Sequence, residues 1–265
     1  MSSFFRIAAI AGNTYREVLR NRAFIGLLVV AAAFLIFSMA LSELARPGEE
    51  PRVVMDFGYF AISLFGVVIA IVMGVILLHQ EVEKKTIYTI IPKSVHRYEV
   101  VLGKYLGMLV ILLAELVVMS LIWFLVLWVS DAPISVDTVM AMGLIFLEMM
   151  IIASMALLFS AFSSPILSGI FTFGFFLMGR LSYVVSDMLL ATKRGFFVDY
   201  PVFRPVGQFF AGSFPDLRAF NVSQDLLLGT PIGVDYLLVS GAYAMSYVVF
   251  FLAVAVLLFQ RRDFV

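Results

Sequence analysis

The chain has 265 residues, of which 63% are hydrophobic and 14% charged, against about 25% charged in an ordinary soluble domain. A water-soluble fold of this length cannot cover so much apolar surface, which excludes a soluble enzyme, a disordered tail and a fibrous repeat. Eighteen Lys and Arg balance 18 Asp and Glu, so the basic face that nucleic-acid binding requires is missing. Cysteine is absent, and His79 and His96 are the only histidines. That leaves no disulfide, no thiolate chemistry and little from which to build a zinc site.

The first 22 residues carry Arg6, Arg16, Arg20 and Arg22 and no small-residue cleavage site, unlike a secretory signal. Phe4, Ile7, Ala8, Ala11, Tyr15, Val18 and Leu19 recur at helical spacing, with Arg6, Asn13, Arg16, Glu17 and Arg20 mostly on the other side. The pattern predicts an amphipathic helix lying in the membrane surface.

Six apolar runs follow, at about 23–45, 57–78, 105–129, 138–162, 165–190 and 234–259. Each is long enough to cross a hydrocarbon core of roughly 30 Å at about 1.5 Å per residue. Only Ser163, Ser164 and Pro165 separate the fourth from the fifth, and Pro165 suits the first turn of a new helix. The chain is therefore expected to be an all-α integral membrane protein, a single domain over residues 1–265. Six spans put both termini on one side. That side carries 11 Lys and Arg against six on the other, so both termini are expected to be cytoplasmic.

Between the second and third runs lies the most informative polar segment, 79–104. Glu81, Glu83, Lys84, Lys85, Lys93, Arg97 and Glu99 alternate in sign around Ile87, Tyr88, Ile90, Ile91 and Val95. Glu81 and Lys85 stand at the favourable i,i+4 spacing, and Pro92 predicts a bend. Apolar residues in a charged helix need either a partner surface or lipid.

The stretch Glu81-x-Glu83-Lys84-Lys85-Thr86-Ile87-Tyr88-x-Ile90, then Pro92-Lys93-Ser94, Arg97-Tyr98-Glu99 and Leu102-Gly103-Lys104-Tyr105, resembles the cytoplasmic coupling segment of ABC-2-type transporter permeases. Phe214-Pro215-Asp216-Leu217-Arg218-Ala219-Phe220-Asn221 is similar to a stretch that recurs in bacterial members. Lys85 stands where glycine is frequent in that family. The resemblance covers essentially the whole chain and implies the membrane subunit of an ATP-driven exporter in a bacterial inner membrane. It implies two permeases, identical or sister chains, each docked on a cytoplasmic ABC ATPase. The cytoplasmic helix between spans two and three and the N-terminal helix would contact that ATPase. Glu81, Lys84, Thr86, Pro92, Arg97 and Lys104 become the expected coupling residues. ATP and Mg²⁺ belong to the partner, because the chain lacks a phosphate-binding loop: Gly103-Lys104 is followed by Tyr105 and has no earlier glycine. No cofactor, metal or catalytic residue is expected in the chain itself.

Three ionisable residues stand inside spans: Glu115, Glu148 and Arg180. Such groups are costly in hydrocarbon and need a reason. Glu148 and Arg180 are equidistant from the turn at Ser164, roughly 24 Å along each helix, so an antiparallel hairpin puts them at one height and predicts a pair. Glu115 lies nearer mid-depth and either joins them or has its own partner. The pair fits two readings, a structural tie between helices or part of a polar substrate path.

Segment 191–233 combines many aromatics with Pro201, Pro205, Pro215 and Pro231. Prolines exclude one long helix, and the aromatics favour short broken, re-entrant helices at the interface. One such helix is readable from Ser223 as N-cap to Gly229. Phe209, Phe210, Phe214 and Pro215 serve either as an exit gate for amphipathic cargo or as interfacial anchors. An ion-coupled secondary transporter and a non-transporting membrane scaffold are the alternative whole-protein readings.

Overall fold

The computed structural model describes residues 3–83, 96–190, 196–223, 226 and 230–261. Its helices are α1 (Ser3–Leu19), α2 (Arg22–Ser42), α3 (Glu50–Glu83), α4 (Arg97–Val129), α5 (Val136–Phe162), α6 (Pro165–Leu190), α7 (Phe196–Asp199), α8 (Arg204–Ser213) and α9 (Val234–Arg261), with 3₁₀ turns at Pro201–Phe203 and Leu217–Phe220. Among the described residues there is no strand. Helices α2 to α6 and α9 are long and apolar enough to cross a membrane, which makes this a multi-pass helical membrane protein.

Two helices begin about two turns before their apolar runs. Helix α3 starts at Glu50 with Pro51 in its first turn, where a missing N–H costs nothing. Helix α4 starts at Arg97, and Glu99 Oε2 accepts the His96 N–H at 3.0 Å, satisfying a donor at the helix start. Hydropathy marks the hydrocarbon, and a capped helix continues beyond it. The expected coupling segment is thus helical at both ends, through Glu83 and from Arg97, while 84–95 lies outside the described residues. The other turns are short. Asn21 Oδ1 accepts the Ala23 N–H at 2.9 Å where α1 gives way to α2, and α6 opens on Pro165.

Helices α3 and α5 form the centre and are buried along most of their length, while α2, α6 and α9 present much of their surface outward. Helix α2 packs on α3, α9 on α5, and α4 on α3 and α5. Glycines bring α3 close to its neighbours: Gly58 faces Trp123 of α4, and Gly66 faces Met149 of α5. Val29 and Phe37 on α2, Ile166 and Ile170 on α6, and Val249 and Phe250 on α9 are exposed, as suits surfaces solvated by lipid.

Helix α1 follows the first turns of α4 in the same direction. Ser3 Oγ lies 3.5 Å from the Tyr98 hydroxyl, and Arg6 binds Glu99. Gly103 meets Ile7 and Ile10, and Gly107 meets Ala11 and Thr14. A Cβ on Gly107 would lie 2.7 Å from the Ala11 carbonyl oxygen, so the Gly-x-x-x-Gly spacing lets the two backbones touch. This corrects the sequence expectation for Arg6, which was assigned to the polar side and instead faces the protein. Three surfaces result. Ile7, Ile10, Ala11, Thr14 and Val18 pack on or toward α4; Phe4, Phe5, Ala8 and Leu19 are exposed and apolar; Asn13, Arg16 and Arg20 are exposed and polar.

Arg97 Nη1 donates to the carbonyls of Phe259 at 3.1 Å and Gln260 at 2.8 Å. The start of α4 and the end of α9 therefore meet at one end of the bundle, the termini end. The opposite, loop end carries the described residues 196–223 and 230–233.

Candidate functional site

The α5–α6 hairpin sets Glu148 and Arg180 side by side. Arg180 Nη2 donates to Glu148 Oε2 at 2.9 Å and to Ser63 Oγ at 2.7 Å. Ser63 in turn donates to the same Oε2 at 3.0 Å, and Oε1 lies 2.9 Å from Arg180 Nη2 without hydrogen-bond geometry. The Glu148 side chain is fully buried, whereas that of Arg180 is 23% exposed, so the guanidinium bridges an interior carboxylate and an accessible space. Ser63 ties α3 into the pair. Sequence gave no reason to single it out, since a serine in an apolar run is ordinary; only the three-helix geometry reveals it.

Glu115 does not join them. It is buried, and among the described residues neither of its oxygens has a hydrogen-bond partner. Counting residues from the membrane surface gave its height and said nothing of its direction around the helix axis.

At the termini end the expected coupling residues divide. Lys84, Thr86 and Pro92 lie outside the described residues, and Glu81 is described only as part of α3. Lys104 is 1% exposed and donates to the Leu77 carbonyl of α3 at 2.5 Å. Arg97 binds the end of α9, as above. Arg6 reaches Glu99 with both Nε and Nη2, at 2.9 Å to Oε2 and 2.7 Å to Oε1, and this bonding raises the Arg6 pKa above its ordinary value. Three polar side chains in the first turns of α4 thus grip α1, α3 and α9. In the sequence Glu99 is only one charge of a run that alternates in sign. The Glu99–Arg6 link became visible once Gly103 and Gly107 had brought α1 alongside.

At the loop end the segment 214–223 folds back along α6. Phe214 packs on Phe175, with ring centroids 4.8 Å apart and the rings tilted by 56°, and Leu217 sits against Gly179. Leu217 and Phe220 are fully buried. Helix α9 holds the segment from the other side: the Tyr243 hydroxyl accepts the Asp216 N–H at 2.9 Å, and Tyr236 donates to the Ala219 carbonyl at 2.7 Å. Of the four expected gate residues, Phe214 and Pro215 lie in this packed segment, Phe209 is exposed on α8, and the Phe210 side chain lies outside the described residues. The helix expected from Ser223 to Gly229 is mostly outside them as well.

Among the described residues no three His, Asp or Glu side chains are grouped to hold a metal. No protein-family model matches the chain, and no curated protein resembles it closely enough to count as a relative.

Proposed function

We propose that the chain is the membrane subunit of an ATP-driven exporter of the ABC-2 class, working as a pair of permeases with a separate cytoplasmic ATPase that binds ATP and Mg²⁺. In this reading the termini end faces the cytoplasm of a bacterial cell and the protein sits in the inner membrane. The observation that carries it is the junction at the base of segment 79–104. Lys104 binds α3, Glu99 binds α1 and Arg97 binds α9. A displacement of that segment would be passed to four helices at once, which is what a coupling element must do. Close packing makes such helices move as bodies and not as springs. Two further features support the reading: the resemblance of 81–105 to the family's coupling segment, and the packed loop-end segment that includes Phe214 and Pro215.

Arg97 and Lys104 act in this account as the base of the lever, holding the chain's own helices. Glu81, Lys84 and Thr86 are left to meet the ATPase. The test is affinity purification from native membranes with mass spectrometry of the co-purifying proteins. A stoichiometric soluble ATPase that is lost from a Glu81→Ala/Lys84→Ala double variant, while the variant inserts normally, supports the reading. A chain that purifies alone and moves solute along an ion gradient in vesicles replaces it with a secondary transporter.

A further inference from the structure

The fold-back at the loop end builds a cavity of about 240 Å³ between α6 and the returning chain, lined by Arg180, Tyr183, Arg218, Asn221 and Ser223. All five side chains carry hydrogen-bond donors, and two are guanidinium groups. Arg180 is matched by Glu148. Arg218 has no carboxylate within ion-pair distance among the described residues; its guanidinium carbon instead lies 4.3 Å from the centroid of the Tyr183 ring. Asn221 spends its Oδ1 on the Ser223 N–H at 3.3 Å, which leaves its amide N–H groups available. The wall therefore carries one positive charge beyond what Glu148 neutralises, and no carboxylate lines it.

We propose that this cavity binds a phosphate group. Guanidinium pairs bind planar and tetrahedral oxyanions through parallel N–H···O bonds. Five donor side chains exceed what the two oxygens of a carboxylate accept and suit a tetrahedral oxyanion. At about 30 Å³ per water-sized group, the volume takes a phosphate and a few attached atoms. It falls short of the roughly 300 Å³ at which drug-sized pockets begin. Two sources carry that chemistry, a free phosphate ester and a phospholipid headgroup. The neighbouring face of α6, with Leu177, Met178 and Leu181 exposed, could accept acyl chains beside the cavity. The site stands apart from the transporter reading, since binding needs no ATPase.

The motif explains how the site is assembled. Leu217 and Phe220 are the buried anchors, and Asp216 Oδ1 accepts the Arg218 N–H at 2.9 Å to set the turn. Arg218 and Asn221, on either side of Phe220, are thereby left lining the cavity.

The test uses the full chain purified in neutral detergent, with inorganic phosphate as one probe and phosphatidylglycerol as the other. Binding is read by native mass spectrometry and by thermal shift. Arg218 is exposed and its backbone bonds survive substitution, so Arg218→Gln should fold as the parent does, and its melting temperature without ligand checks this. Binding should weaken by about tenfold or more in Arg218→Gln, the usual effect of losing one charged hydrogen bond. It should be unchanged in Arg52→Gln, an exposed arginine outside the cavity. Phosphatidylglycerol held without any effect of phosphate identifies a lipid headgroup; phosphate binding that competes with the lipid identifies a site for the free group as well. The proposal is overturned if the parent binds neither probe, if Arg218→Gln binds like the parent, or if Arg52→Gln weakens as much as Arg218→Gln.

Discussion

Leu217 occupies the space that Gly179 leaves empty. A Cβ on residue 179 would lie 2.8 Å from both Cγ and Cδ1 of Leu217 and 3.0 Å from the Pro215 carbonyl oxygen. Neither neighbour is the free end of a long side chain, so neither can yield cheaply. One absent methyl therefore lets the loop-end segment lie against α6, and it stands next in sequence to the arginine that binds Glu148.

Gly179→Ala should accordingly cost about 1–3 kcal/mol, the usual penalty for overfilling a packed site. It should also displace Arg218 from Tyr183. Gly174→Ala, one and a half turns away on the same helix with nothing within 4 Å of its Cβ, should be neutral or stabilising through helix propensity alone. Thermal unfolding of both variants in detergent decides the matter: equal melting temperatures would show that the segment does not rest on residue 179.

Breaking the Glu148–Arg180 pair from one side leaves a charge buried without its partner. Glu148→Gln or Arg180→Gln should each destabilise by about 3 kcal/mol or more, and Ser63→Ala by about 1 kcal/mol. Replacing both partners by apolar residues of similar volume should recover much of that loss. The measurement is a double-substitution cycle on unfolding. If Glu148→Gln folds with parental stability and loses transport alone, the pair lines a substrate path and is not a structural tie.

How far these features could be read from the sequence follows from what each depends on. The six spans were legible because hydrocarbon tolerates only long apolar runs, and their helical ends were not, because capping by groups such as Glu99 sets them. The meeting of Glu148 and Arg180 was legible by counting, since a tight antiparallel hairpin fixes height. Ser63 and the isolation of Glu115 depend on rotation about helix axes, which a count does not supply. The docking of α1 left a trace in Gly103-x-x-x-Gly107, yet that spacing names no partner. Arg6 looked like a surface charge until its neighbour Glu99 was in place.

Those glycines carry a further prediction. In Gly107→Ala the new methyl would press on the Ala11 backbone and on Thr14, whose Cβ lies 2.7 Å away, so α1 should tilt or detach from α4. Trypsin should then cut at Arg16 and Arg20 faster than in the parent. Gly12→Ala, whose Cβ would meet nothing within 4 Å, should leave the cleavage rate unchanged. Parental protection in Gly107→Ala would mean that α1 is held elsewhere, with the Arg6–Glu99 pair as the first place to look.

Glu115 makes the opposite prediction from Glu148, although both are buried carboxyl side chains in neighbouring helices. Glu148 has Ser63 and Arg180, so its removal orphans a partner. Glu115 has no hydrogen-bond partner among the described residues, so its removal orphans nothing and relieves the desolvation of an unmatched polar group. Substitution by methionine, which is close in volume and flexible, should raise stability by about 1–3 kcal/mol. An intramembrane carboxyl that costs stability where it stands is a candidate for a working role. Unfolding and transport should therefore be measured on the same Glu115→Met preparation. On the transporter reading proposed above, higher stability with lost transport identifies Glu115 as a working group of the translocation path. Higher stability with full transport makes it dispensable, and lower stability would mean that its carboxyl is matched in the working assembly by a group from a second subunit.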